Sequence, residues 1–205
     1  MEKCPVCSTR RPRRNCPALG KDICSQCCGS EREETISCPS ECSYLKQGRP
    51  FERLAVLDPA SIPNADIRVS DDFIAANEQL LGFCGGTLFM LVKETGGLTD
   101  TDLLEAIGTL AVNYRARLGG QTDDAISANP LAAPVCAGFI EKFEAFRKRV
   151  DEETGEDYHI TGDQALKLIL FFQRLALNNN NGRKRGRFFI DFLGTLFIPK
   201  ASEQG

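Results

Sequence analysis

The chain has 205 residues, 42% hydrophobic and 26% charged, with 13 Phe and a mean hydropathy of -0.23. These values exclude disorder over most of its length and suit one ordinary domain with a small appendage. A formal charge of -3, from 25 Lys and Arg against 28 Asp and Glu, excludes a global basic field, so nucleic-acid binding would need local patches.

The opening Met1-Glu2-Lys3-Cys4 carries no apolar run that would serve as a secretory signal. The most apolar stretch, Phe73 to Val92, is interrupted by Asn77, Glu78, Gln79 and a Gly pair, which argues against a membrane span. The expectation is a cytoplasmic protein whose thiols stay reduced or bind metal.

Eight of the ten cysteines fall at positions 4, 7, 16, 24, 27, 28, 38 and 42. Residues 1–50 lack Phe and offer only Val6, Leu19, Ile23, Ile36, Tyr44 and Leu45 as sizeable apolar groups, too few for a self-sufficient core. In a reducing compartment, metal replaces the missing core. Cys4-Pro5-Val6-Cys7 and Cys24-Ser25-Gln26-Cys27 are C-x2-C turns, each presenting two thiolates to one ion. Cys27 and Cys28 are adjacent, so in an extended backbone they point in opposite directions and serve different ions. The preferred pairing, among those the spacing leaves open, is Cys4, Cys7, Cys24 and Cys27 around a first zinc, and Cys16, Cys28, Cys38 and Cys42 around a second. Pro39 is expected at a first helical position, with Cys42 in the opening turn. The rival cofactor is an iron–sulfur cluster, which also takes four thiolates.

The order C-x2-C-x8-C-x7-C-x2-C over about the first 45 residues resembles the cross-braced two-zinc modules of the B-box and MYND type. That resemblance implies a protein-interaction module. The likeness is one of spacing, and the late His ligands usual in those families are missing, since the only histidine is His159. The stretch Cys38-Pro-Ser-Glu-Cys42-Ser-Tyr-Leu also resembles uncharacterised bacterial proteins that join such a module to a helical remainder.

Gly48-Arg49-Pro50 closes the first module, and residues 51–69, with Pro59 and Pro63, read as an extended connector. From 70 to 200 the periodicity is helical. Ser70-Asp71-Asp72 caps a helix carrying Phe73, Asn77, Leu80, Leu81, Cys84, Leu88 and Leu91 at steps of three and four. Thr99 starts a second, with Leu103, Leu104, Ile107, Leu110, Ala111, Tyr114 and Leu118 before Gly119-Gly120. A third spans about 134–152 with Val135, Phe139, Phe143, Phe146 and Val150 on one side. Thr161-Gly-Asp-Gln164 is a capping box for a fourth, bearing Leu168, Ile169, Phe172, Leu175 and Ala176. The fifth, about 187–197, is almost wholly apolar and expected to be buried. No segment alternates convincingly with period two. The predicted fold class is mainly α: a small Cys-rich two-zinc module plus a bundle of about five helices.

Cys84 and Cys136 are expected to act as small core hydrophobes. His159 sits in a carboxylate-rich loop and reads as solvated. No phosphate loop, nucleophile elbow or His-Glu-x-x-His is present, so no catalytic residues and no small-molecule substrate are assigned. Two basic runs remain as candidate nucleic-acid contacts: Arg10, Arg11, Arg13 and Arg14, and Arg183, Lys184, Arg185 and Arg187. Residues 1–50 hold nine Lys and Arg against six Asp and Glu. Eight thiolates and two Zn2+ would turn that surplus slightly negative, which disfavours non-specific clinging to DNA. The leading expectation is a non-enzymatic adaptor that binds another protein. The alternatives are a nucleic-acid-binding or transcription-related regulator using the Arg-rich loops, and a thiol-based redox or metal sensor.

Overall fold

The computed structural model describes residues 2–155 and 158–197. Its amino-terminal part is a short antiparallel hairpin, β1 (Arg14–Cys16) and β2 (Lys21–Ile23), followed by two brief helices, α1 (Ser25–Ser30) and α2 (Ser43–Gly48). The hairpin is consistent with the lack of convincing period-two alternation in the sequence, since three residues a side are too few to show it. Arg14 pairs with Ile23 and Cys16 with Lys21 across it. Cys27 and Cys28 lie in α1, not in extended backbone. Successive helical residues point about 100° apart, so the two thiols still diverge. Pro39 sits in a turn, with the Cys42 amide donating to its carbonyl, and Cys42 is the N-cap of α2.

Residues 52–69 run irregularly, apart from one 3-10 turn at Pro59–Ser61. The helical part comprises α3 (Asp71–Ala76), α4 (Glu78–Thr95), α5 (Asp100–Leu118), α6 (Ala132–Thr154), α7 (Gly162–Asn178) and α8 (Phe188–Phe197). Thr99 and Thr161 each close a capping box, as their spacing predicts. One expected helix is two. Asn77, buried at φ -121°, ends α3 and turns its side-chain amide onto the Phe73 carbonyl. An Asn that satisfies the backbone through its side chain competes with the helical ladder.

α4, α5, α6 and α7 enclose one apolar core that includes Leu88, Leu103, Ile107, Leu110, Phe139, Phe143 and Phe172. Cys84 and Cys136 pack in it as expected. Burial holds the Cys136 thiol up at about 11 and lifts Cys84 further. Only one face of α8 joins this core: Phe189, Ile190 and Leu193 are buried, but Leu196 is 52% exposed. The expectation of a wholly buried last helix is corrected accordingly. The expected end of the bundle at 200 lies outside the described residues.

Asp100 anchors the start of α8. Its carboxylate accepts from the amides of Phe189 (3.1 Å) and Ile190 (3.0 Å), and its own amide donates to the Gly186 carbonyl at 2.7 Å. Burial, only partly offset by those amides, raises the carboxyl to about 6. Ionisation of Asp100 therefore opposes folding: its stabilising contribution is full below about pH 4 and declines as pH rises through 6. Asp100→Ala is expected to cost about 2 kcal/mol near pH 5, by leaving two amides unpaired, and less at pH 7.5. Paired urea titrations check this, and a cost that grows with pH would contradict the assignment.

Candidate metal centre

The first C-x2-C turn is shaped by its own backbone. The Ser8 amide donates to the Cys4 carbonyl at 2.7 Å, and the Cys4 amide to the Arg10 carbonyl at 2.8 Å. Ser8 takes φ +54°, which folds the chain back after Cys7. The second turn uses a helix start: Cys24 is the N-cap of α1, and its sulfur accepts from the Cys27 amide at 3.4 Å. β2 delivers Cys24 beside the first turn, where its amide donates to Cys4 Sγ at 3.2 Å.

The sulfurs of Cys4, Cys7, Cys24 and Cys27 lie within 4.8 Å of one another, so this quartet is able to bind a metal ion. Cys7 Sγ and Cys24 Sγ are 4.0 Å apart. A tetrahedral ion with sulfur at about 2.3 Å requires about 3.8 Å between sulfurs, so the donor set fits with little movement. All ten cysteines are free thiols. Cys7 is held down to about 5, first by the Thr9 hydroxyl and then by the amides of Arg10 and Thr9, whereas burial and the neighbouring sulfurs push Cys27 up to about 12. Four thiolates at this distance repel, and a divalent cation removes that cost for all four.

Cys16, Cys28, Cys38 and Cys42 line one enclosed cavity of about 10 Å³, walled also by Ile23, Ile36 and Leu45. These four are neighbours, but among the described residues only the first quartet has its sulfurs within 4.8 Å. Arg14 Nη1 lies 3.4 Å from Cys28 Sγ and its guanidinium stacks on Tyr44, 4.9 Å from the ring centroid.

The basic runs fare differently. Arg10, Arg11 and Arg13 are exposed, whereas Arg14 is drawn toward the second cysteine set. In the other run, among the described residues, only Lys184 has no bond into the Cys-rich part. Arg183 pairs with Glu52 at 3.0 Å and donates to the Arg32 carbonyl at 2.6 Å. Arg185 donates from its amide to the Glu33 carbonyl and from its guanidinium to Ser37 Oγ. The Arg187 amide donates to Glu33 Oε1 at 3.0 Å.

Glu33, which the sequence reading did not single out, is the centre of this seam. It is fully buried at φ +53° and receives both terminal nitrogens of Arg49 at 2.7 Å, with Asn181 Nδ2 at 2.9 Å. Arg49 also reaches Asp191 at 2.7 Å, and Ser40 donates to the same carboxylate. Nothing in local sequence marks Glu33, because its partners lie 16 to 154 positions away. The cysteine module and the helical part are therefore joined by a buried charge network.

Compared with family models, curated proteins and solved structures, the chain finds no match. Among the described residues, no helix is long and apolar enough to cross a membrane.

Proposed function

We propose that the chain is a non-enzymatic adaptor in which structural zinc organises an amino-terminal module for binding another protein. The observation that carries this reading is the sulfur quartet of Cys4, Cys7, Cys24 and Cys27. Four thiolates leave a zinc ion no open position for water or substrate, so the ion would act on folding and not on chemistry. A second zinc belongs to the same reading, held by Cys16, Cys28, Cys38 and Cys42, whose shared cavity supports it. The seam at Glu33 supports the adaptor role, because a module rigidly set against a helical body presents one continuous surface to a partner. It also leaves fewer cations for nucleic acid, since Arg183 is paired with Glu52 and bound to the Arg32 carbonyl.

Native mass spectrometry of the full chain is the first test. Two zinc ions per chain are expected; one ion would remove the second site, and iron with inorganic sulfide would replace zinc by a cluster. The second test is capture of a partner by the full chain with and without chelation. Retention only by the metal-loaded chain is expected. Equal capture after chelation, or DNA or RNA binding that weakens steeply with salt and is lost in Arg11→Glu/Arg13→Glu, would overturn the adaptor reading.

A further inference from the structure

An open groove of about 450 Å³ lies where the Cys-rich module meets α4 and α8. Its floor is apolar, formed by Phe89 and Ile190, and Gly194 contributes no side chain. The helices approach closely there: a Cβ on Gly194 would come within 2.8 Å of Phe89 Cε2. Lys46 projects from α2, Lys93 from α4 and Arg187 from the lead into α8, and all three line the groove. Among the described residues none of these cations has a carboxylate within 4.0 Å. Arg187 Nε is buried without a hydrogen-bond partner. Of the two carboxylates in the lining, Asp191 is taken up by Arg49 and Ser40, which leaves Glu41 alone against three unpaired cations.

We propose that this groove is the docking site for an acidic peptide segment of a partner protein, carrying one aromatic or aliphatic side chain as its anchor. The inference rests on the adaptor reading and assigns it a surface. The apolar floor takes the anchor, and Lys46, Lys93 and Arg187 take flanking Asp or Glu side chains, an arrangement that gives orientation and rate more than raw affinity. A small ligand fits less well, since such ligands have most of their surface buried and this groove is open to solvent. A nucleic-acid backbone fits the charge less well: with Arg49 already bound to Asp191, the three remaining cations beside Glu41 offer too few phosphate contacts on a chain of net charge -3.

The test is selection of a random nonapeptide display library on the full, metal-loaded chain, followed by titration of the enriched peptides. Enriched sequences should be rich in Asp and Glu around a Phe, Leu or similar residue. Their affinity should fall at least about tenfold in Lys46→Glu/Lys93→Glu and stay unchanged in the matched control Lys142→Glu/Lys148→Glu, which alters lysines outside the groove. Enrichment without acidic bias, no enrichment, or equal binding to the double variant overturns the proposal. So does a single-stranded oligonucleotide that binds more tightly than the peptides and loses that binding in Lys46→Glu/Lys93→Glu. If a partner captured by the metal-loaded chain is retained by the same double variant, the groove fails while the adaptor reading stands. Peptide binding at the groove with metal-independent partner capture gives the reverse result.

Discussion

Replacing Glu33 by alanine is expected to destabilise the protein by about 3–5 kcal/mol and to loosen the Cys-rich module from the helical part. The side chain is fully buried and accepts from Arg49, Asn181 and the Arg187 amide at once. Its removal leaves a mostly buried guanidinium short of its main counter-ion, and such a loss costs far more than the pair contributes when intact. Asp191 and Glu52 still contact Arg49, which argues for the lower end of that range. The backbone adds a second signature. At φ +53°, Glu33→Gly should recover about 1 kcal/mol relative to Glu33→Ala, because glycine takes this conformation without the Cβ penalty. Urea unfolding of the three proteins measures both effects. Faster proteolysis between residues 52 and 69 should accompany the loss. A cost below about 1 kcal/mol for Glu33→Ala would show that the seam does not hold the two parts together.

Cys27→Ser is expected to abolish metal binding at the first quartet and unfold residues 1–50, with most helical signal kept. A structural zinc site contributes on the order of 10 kcal/mol to a small module, and this one has little else: its buried apolar set is Ile23, Ile36 and Leu45 with the cysteines themselves. The loss in far-ultraviolet circular dichroism should be small, because the described part of residues 1–50 holds little helix: the six-residue α1 and α2 and the start of a 3-10 turn at Arg49–Phe51. The main helices have their own contiguous core. Cys28→Ser, which alters the neighbouring cavity, is expected to remove one metal of two and leave the first quartet loaded. Loss of most helical signal in Cys27→Ser would show that the parts fold only together. Full metal content in that variant would refute the quartet.

The clustering of Cys4, Cys7, Cys24 and Cys27 was readable in the sequence because two C-x2-C turns carry their geometry locally: each needs only four residues and a turn. Helix starts were readable for the same reason, since Thr99 and Thr161 cap through atoms three positions away. Local patterns mislead where a tertiary partner takes over. Asn77 looked like one more step along an amphipathic stripe, yet it breaks the helix and meets Gln164 across the fold. α8 looked wholly apolar and hence buried. One side of it faces outward, because only a single face has neighbours.

By itself the sequence determined the class of the fold, mainly helical behind a cysteine-rich start, and which four cysteines cluster at metal-binding distance, Cys4, Cys7, Cys24 and Cys27. Both follow from short-range spacing that no distant contact needs to complete. The tertiary structure alone decided what the basic run at 183–187 does, since a guanidinium in a loop reads the same whether it faces water or a carboxylate from another module. It also decided that Glu33, unremarkable among 28 acidic residues, is the buried link between the two parts. Burial of a charge depends on which surfaces meet, and that is set only when the whole chain has packed.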